Sequence, residues 1–375
     1  MNELIRVEHL TKHFPRKSGM WGGGAGVVRA VEDVSFNIAA GETLGLVGES
    51  GSGKSTTGRL MLRLIEPTAG RCFYNGRDLL TLPKNEMRNL RREMQIVFQD
   101  PYGAFNPRMT VSNIIGEALQ LRGVKSRGER DREVARYLEM VQMPTNILGR
   151  YPHEFSGGQR QRISIARALA VDPKFIVADE PVSALDVSTQ AEIVNLLLDL
   201  QQRLHLTMLF ISHDLSVVRV VCDRIAVMFG GRILELADGP ALFANPLQPY
   251  TRELLAAVPI PDPQQARRHK GGSTAVNGVS VAATPGDVSL TAANGAAPDA
   301  KPAEAAAQQV HGCPYAGRCP FTMDICWQQM PPLVDYAPRL GESKPHLAAC
   351  HWVEQNIENL AKGQAVGSTT TPISK

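Results

Sequence analysis

No run of about 18 apolar residues occurs in the 375-residue chain, so the sequence offers no candidate for a membrane-spanning helix. Met1 to Arg6 lack the basic start and apolar core of a secretory signal, and we expect a protein that works in the cytoplasm. Excess charge of one sign is missing too. Against 40 Lys and Arg stand 37 Asp and Glu, a net charge of +3, which leaves no nucleic-acid footprint by itself. Aromatic residues are absent between Pro259 and Val310, where Ala, Gly, Ser, Pro and Gln dominate. Such a stretch cannot bury enough apolar surface to offset its ordering entropy, so residues 261–310 read as a flexible linker. Closely spaced C-x2-C pairs are also lacking among the six cysteines, although four of the six crowd into the last quarter. In a reducing cytosol that clustering favours metal binding over disulfides.

What is present begins with Gly48-Glu49-Ser50-Gly51-Ser52-Gly53-Lys54-Ser55-Thr56. It fits G-x-x-x-x-G-K-[ST], the phosphate-binding loop of P-loop nucleotidases, and it has the context the motif needs. The apolar run Thr43 to Val47 precedes it as a strand, and Thr57 to Leu62 follow as the start of a helix. Glycines let backbone N–H groups curl around phosphate oxygens, and the helix N-terminus adds a favourable dipole. Lys54 is placed to reach the β- and γ-phosphates and Ser55 to hold Mg2+.

Further along, Phe175 to Ala178 form an apolar run that suits a strand buried on both faces of a parallel sheet. It ends in Asp179-Glu180. Asp179 can hold Mg2+ as the second half of a nucleotide–metal site, and Glu180 can polarise an attacking water as general base. Thr207 to Ser212 is another buried strand, ending at His213-Asp214. Residues 112–170 have helical spacing, with Ile114, Ile115, Ala118 and Leu119 on one apolar stripe and Val134, Tyr137, Leu138 and Val141 on another. They read as a helical insert between two halves of an α/β core. Inside it, Ser156-Gly157-Gly158-Gln159 opens a helix, a second anion-binding arrangement with a use if it closes on the γ-phosphate held by another copy.

Together these motifs resemble the ATP-binding subunit of ABC transporters over residues 1–260. The resemblance implies an α/β fold, a RecA-like P-loop NTPase core with an N-terminal antiparallel β-subdomain and a helical subdomain at about residues 100–172. Ser156 to Gln159 resemble the signature motif, with Phe155 replacing its usual leucine. Gln99 matches the Q-loop glutamine, which joins Ser55 and Asp179 as a Mg2+ ligand. Ser183 to Asp186 match the D-loop, and His213 matches the switch histidine, which orients Glu180. Phe14 matches the aromatic that stacks on adenine. Gln99 to Val111 and Asn245 to Arg252 are similar to segments of dipeptide, oligopeptide and nickel importers.

Cys313, Cys319, Cys326 and Cys350 are enough for a tetrahedral zinc or an iron–sulfur cluster. The importer resemblance implies a [4Fe–4S] cluster on these four, in a Cys-rich C-terminal module at residues 311–353, followed by a polar tail at 354–375. His311, His346 and His351 read as surface residues, and Cys72 and Cys222 as core. The functional expectation is an ATPase driving uptake of small peptides at the cytoplasmic face of the inner membrane. Its implied partners are a second, related cassette in a heterodimer, two integral membrane permease subunits and, indirectly, an external solute-binding protein, with no nucleic acid. Nickel or glutathione as cargo, or a soluble ATPase acting on DNA or ribosomes, are the alternatives.

Overall fold

The computed structural model describes residues 3–15, 26–257 and 311–362. The linker at 261–310 lies outside them, as does the chain beyond Lys362. Two sheets organise the molecule. The smaller is antiparallel, in the order β2-β1-β4-β5, from β1 (Glu3–Pro15), β2 (Val27–Ala39), β4 (Ala69–Tyr74) and β5 (Arg77–Asp78). The turn between β4 and β5 places Asn75 and Gly76 at φ 47° and 75°, the left-handed pair that a two-residue hairpin turn requires.

The larger sheet has a parallel core in the order β9-β3-β8-β7-β6, built from β3 (Thr43–Val47), β6 (Met94–Val97), β7 (Phe175–Asp179), β8 (Thr207–Ser212) and β9 (Arg224–Phe229). Every residue of β3, β7 and β8 is buried, as their unbroken apolar runs require. Their side chains divide between two cores. Phe175, Val177, Leu209 and Ile211 face the antiparallel sheet with Ile5, Val7, Phe36 and Tyr74. Ile176, Ala178, Met208 and Phe210 face the helical side with Ile193, Leu197 and the apolar stripes of α4 (Val111–Leu121) and α5 (Arg127–Met140). Because these strands are parallel, the loops that leave their C-terminal ends gather along one edge, where ligands of open α/β sheets bind.

The cysteine-bearing piece is continuous with this sheet. Val334–Asp335 and His346–Ala348 are strands, and His346–Ala348 pairs antiparallel with β10 (Arg232–Asp238), so the sheet runs to eight strands. The helix His351–Ala361 follows it, past the point where a polar tail was expected. Trp352, Val353 and Ile357 recur at helical spacing and pack with Leu247, Tyr336 and Ala348, which fixes the segment.

His346 differs from expectation most sharply: it is wholly buried, not on the surface. Its Nε2 lies 2.8 Å from Glu235 Oε1 and its Nδ1 2.9 Å from Glu342 Oε2. With an acceptor at each nitrogen, both must donate, which the imidazolium does. Burial opposes that charge, but the two carboxylates outweigh it and raise the ring above its ordinary 6.5. The stabilisation is therefore complete below about pH 6.5 and is lost as the pH rises through the raised value. Melting temperatures measured from pH 6 to pH 9 should fall more steeply for the wild type than for His346→Gln; parallel curves would refute the charged pair.

Candidate functional site

The loop between β3 and α1 (Lys54–Met61) is held open by glycines that no other residue can replace. Gly48 has φ 151°, and a Cβ there would stand 2.1 Å from the Met228 carbonyl oxygen. Gly53, at φ 105°, would meet the Ala30 carbonyl oxygen at 2.2 Å. The loop thus wedges between β2 and β9, and Gly231 N–H donates to the Ser52 carbonyl at 3.0 Å. Lys54 is buried, its Nζ donating to the carbonyls of Gly48 and Glu49, both at 2.8 Å. Burial pushes this ammonium below its ordinary value, against the pull of Glu180, Asp179 and Glu49.

Ser55 Oγ donates to Asp179 Oδ1 at 2.6 Å. Burial pushes the Asp179 carboxyl up, while Ser55 and Arg59 pull it down. The half-buried Ser55 hydroxyl and the buried Asp179 carboxylate form an all-oxygen donor set that fits Mg2+, which would offset the cost of keeping Asp179 ionised there. Gln99 does not join this pair directly. Its Nε2 donates to Glu180 Oε2 at 3.0 Å.

Glu180 is the focus of the third group. His213 Nδ1 lies 3.4 Å from the same Oε2, so Gln99 from the end of β6 and His213 from the end of β8 converge on one carboxylate at the end of β7. Sequence reasoning missed how that carboxylate is aimed. Glu180 sits at φ 47°, a left-handed conformation uncommon for a residue with a side chain and costly enough to persist only where neighbours hold it. They do: Glu180 N–H donates to the Ile211 carbonyl at 3.0 Å, and Ser183 N–H to the Glu180 carbonyl at 3.3 Å.

Ser156 to Gln159 lie elsewhere, as the capping box of α6 (Gly157–Leu169). Gln159 N–H donates to Ser156 Oγ at 3.3 Å and Ser156 N–H to Gln159 Oε1 at 3.1 Å. The glycines here also have a packing role. A Cβ on Gly158 would stand 2.3 Å from Thr189 Cγ2, and one on Gly157 3.1 Å from Leu185. Thr189 belongs to α7 (Val187–Leu204), whose N-cap is Asp186; hydrogen bonds from Ser188 and Thr189 hold that carboxyl down at about 2. Phe14, at the end of β1, is 36% exposed with Lys12 Nζ 5.0 Å from its ring centre, an aromatic face that the core does not use.

The match with known proteins agrees with this arrangement. Residues 31–183 match the family model described as ABC transporter. The chain belongs to the ABC transporter family. Residues 234–326 match the oligopeptide/dipeptide transporter C-terminal region. The oligopeptide transport ATP-binding protein AppF of Bacillus subtilis is 42% identical, with 93% of this chain and 97% of AppF covered. Its counterpart OppF from the same organism is 52% identical over 71% of this chain and 85% of its own length. A solved dimer of the ATP-binding cassette MJ0796 in a post-hydrolysis state with ADP and Pi is 31% identical. It superposes with a TM-score of 0.56 over 63% of this chain and 98% of that one. This chain is thus an ABC ATPase whose hydrolysis of ATP is coupled to transport.

The four C-terminal cysteines are all free thiols. Burial pushes Cys313 up to about 11 and Cys350 to about 12, and neighbouring thiols of the set add to both shifts. They share one module, but the expected cluster is not formed by their arrangement. Among the described residues no three His, Cys, Asp or Glu side chains stand together as metal ligands. The helical turn at Asp324–Gln328 and the separate strand edge before Cys350 hold the thiols on different supports.

Proposed function

We propose that this chain is the ATP-hydrolysing subunit of an importer that takes up small peptides through separate membrane subunits. The observation that carries the reading is the convergence of Gln99 and His213 on Glu180, beside the Ser55–Asp179 pair, in a chain whose C-terminal part matches the oligopeptide/dipeptide transporters. In this reading the phosphate loop, with Lys54, binds the β- and γ-phosphates. Ser55 and Asp179 would hold Mg2+, which would supply positive charge against the phosphates. Glu180 accepts the proton of the attacking water, oriented by His213, and Gln99 reports the state of the site. Phe14 stacks on adenine. Ser156 to Gln159 serve the loop of a second, related cassette, and Asp186 orders the helix beside them.

No helix among the described residues is long and apolar enough to cross a membrane. We place the chain peripherally, on the cytoplasmic face, bound to two permease subunits that receive cargo from an external solute-binding protein. For the four cysteines we propose uptake of a metal or a [4Fe–4S] cluster that draws them together. Four thiols supply the right donor chemistry for either.

Reconstitution of the chain with its copurifying membrane subunits in vesicles tests the transport reading. ATP-dependent accumulation of labelled di- or oligopeptides is expected; accumulation of nickel or glutathione instead would replace the cargo. Iron, zinc and labile sulfide measured on anaerobically purified protein test the cysteines, and absence of all three would remove the cluster.

A further inference from the structure

Glu49, the first variable residue of the phosphate loop, is gripped from outside the nucleotide-binding core. Arg318, in the cysteine-bearing module, places Nη1 2.8 Å from Glu49 Oε2 and Nη2 2.8 Å from Glu49 Oε1, a two-pronged contact that fixes direction as well as distance. Nη2 also lies 2.6 Å from Glu253 Oε1 in α10 (Pro249–Ala256). The same loop residue donates its backbone N–H to Tyr250 Oη at 2.9 Å. Tyr250, Tyr315 and Phe229 pack together, with ring centres 4.6 to 5.5 Å apart. The Arg318 guanidinium stands 5.6 Å over Phe229 and 5.8 Å over Tyr315. Tyr315 Oη bonds Glu253, and Pro314 fills the space beside Gly230.

The chemistry calls for this grip. A carboxylate at the first variable position adds negative charge where a triphosphate must settle, and Glu49 acts electrostatically on buried Lys54. Arg318 neutralises that charge and fixes where the carboxylate lies. Because Glu49 also offers its carbonyl to Lys54 at 2.8 Å, the position of this one residue sets both the shape of the loop and the posture of the lysine.

We propose that Arg318 is a positioning residue of the nucleotide site, a brace by which the C-terminal module tunes the affinity of the phosphate loop for ATP. The brace is rooted in the cysteine set. Arg318 and Cys319 both donate their backbone N–H to the Tyr315 carbonyl at 3.0 Å, in the turn that begins at Cys313. The inference rests on the reading of Gly48 to Thr56 as the nucleotide loop.

Binding of a fluorescent ATP analogue carrying a methylanthraniloyl group, followed with the full chain, tests both. Arg318→Gln should weaken binding about three- to tenfold, more at low ionic strength, with maximal turnover nearly unchanged. Arg318→Lys should recover part of the loss, since it restores charge without the fork. Adding Glu49→Gln to Arg318→Gln should cancel most of the loss, because the charge that needed neutralising is gone. A general loosening of the fold would not respond to that second change. Wild-type affinity in Arg318→Gln, or no relief from Glu49→Gln, would overturn the brace. Unaltered binding in Lys54→Ala would instead overturn the loop assignment, and the brace with it.

Discussion

Glu180→Gln should lower ATP turnover by about 10²–10⁴-fold, the usual worth of a positioned general base, and leave ATP binding intact. The amide keeps the size of the carboxylate and one acceptor oxygen, so the contacts from Gln99 at 3.0 Å and His213 at 3.4 Å retain a partner. What it loses is the capacity to take a proton. It also removes a negative charge that acts on Lys54, so binding should be unchanged or tighter. Phosphate release gives turnover, and the fluorescent ATP analogue gives affinity. Chromatography with and without ATP should show a dimer that persists, since the step that would consume the nucleotide has stopped. Turnover within tenfold of wild type would mean that another group accepts the proton. Loss of binding together with turnover would mean that the left-handed turn at Glu180, φ 47°, had collapsed. Gln99→Ala separates the two cases, because it leaves the carboxylate in place and should cost far less turnover.

Much of this site could be read in the sequence because its parts are local. The loop Gly48 to Thr56 carries its own strand and helix, and Asp179-Glu180 and His213 each close an apolar run. Parallel strands then bring such run-ends to one edge with no further information. The inserted helices followed from helical spacing, and the antiparallel sheet from the family resemblance. What stayed hidden depends on partners distant in sequence. His346 looked like a surface histidine because the three-residue strand that carries it is too short to leave a periodic signal of burial. Its burial comes from pairing with β10, more than a hundred positions earlier. The glycine at 158 read only as an anion-binding residue, and its close approach to Thr189 shows in space alone. Arg318, one arginine among many charges, acquires meaning only through Glu49, 269 positions away. The joining of the cysteine module to the cassette stayed hidden for the same reason. A two-residue and a three-residue strand are too short to leave a periodic signal, yet they join the module to the main sheet.

That junction carries the second large effect. Glu235→Leu is expected to destabilise the chain by about 3–5 kcal/mol, the range for breaking a buried ion pair by removing one partner. Glu235 has no exposed surface, and its two carboxyl oxygens accept from Leu247 N–H at 2.8 Å, Gln248 N–H at 3.0 Å and His346 Nε2 at 2.8 Å. Leucine fills a similar volume but strands two backbone donors and one ring donor in a dry interior. The three donors come from the segment before α10 and from the strand His346–Ala348, so one side chain ties β10 to both. Arg252, half-buried nearby, feels the Glu235 charge as well, and its removal leaves that cation less well matched. Thermal unfolding of the full chain should drop by roughly 10 °C, with residues 311–362 becoming the first cut by protease. Glu235→Gln keeps an acceptor and should cost less. Pairing Glu235→Leu with His346→Leu should cost less than the sum of the single changes, because neither leaves the other's charge alone. An unchanged melting temperature in Glu235→Leu, or strict additivity in the pair, would show that the module is held by its apolar contacts around Trp352 and Tyr336 and not by this buried carboxylate.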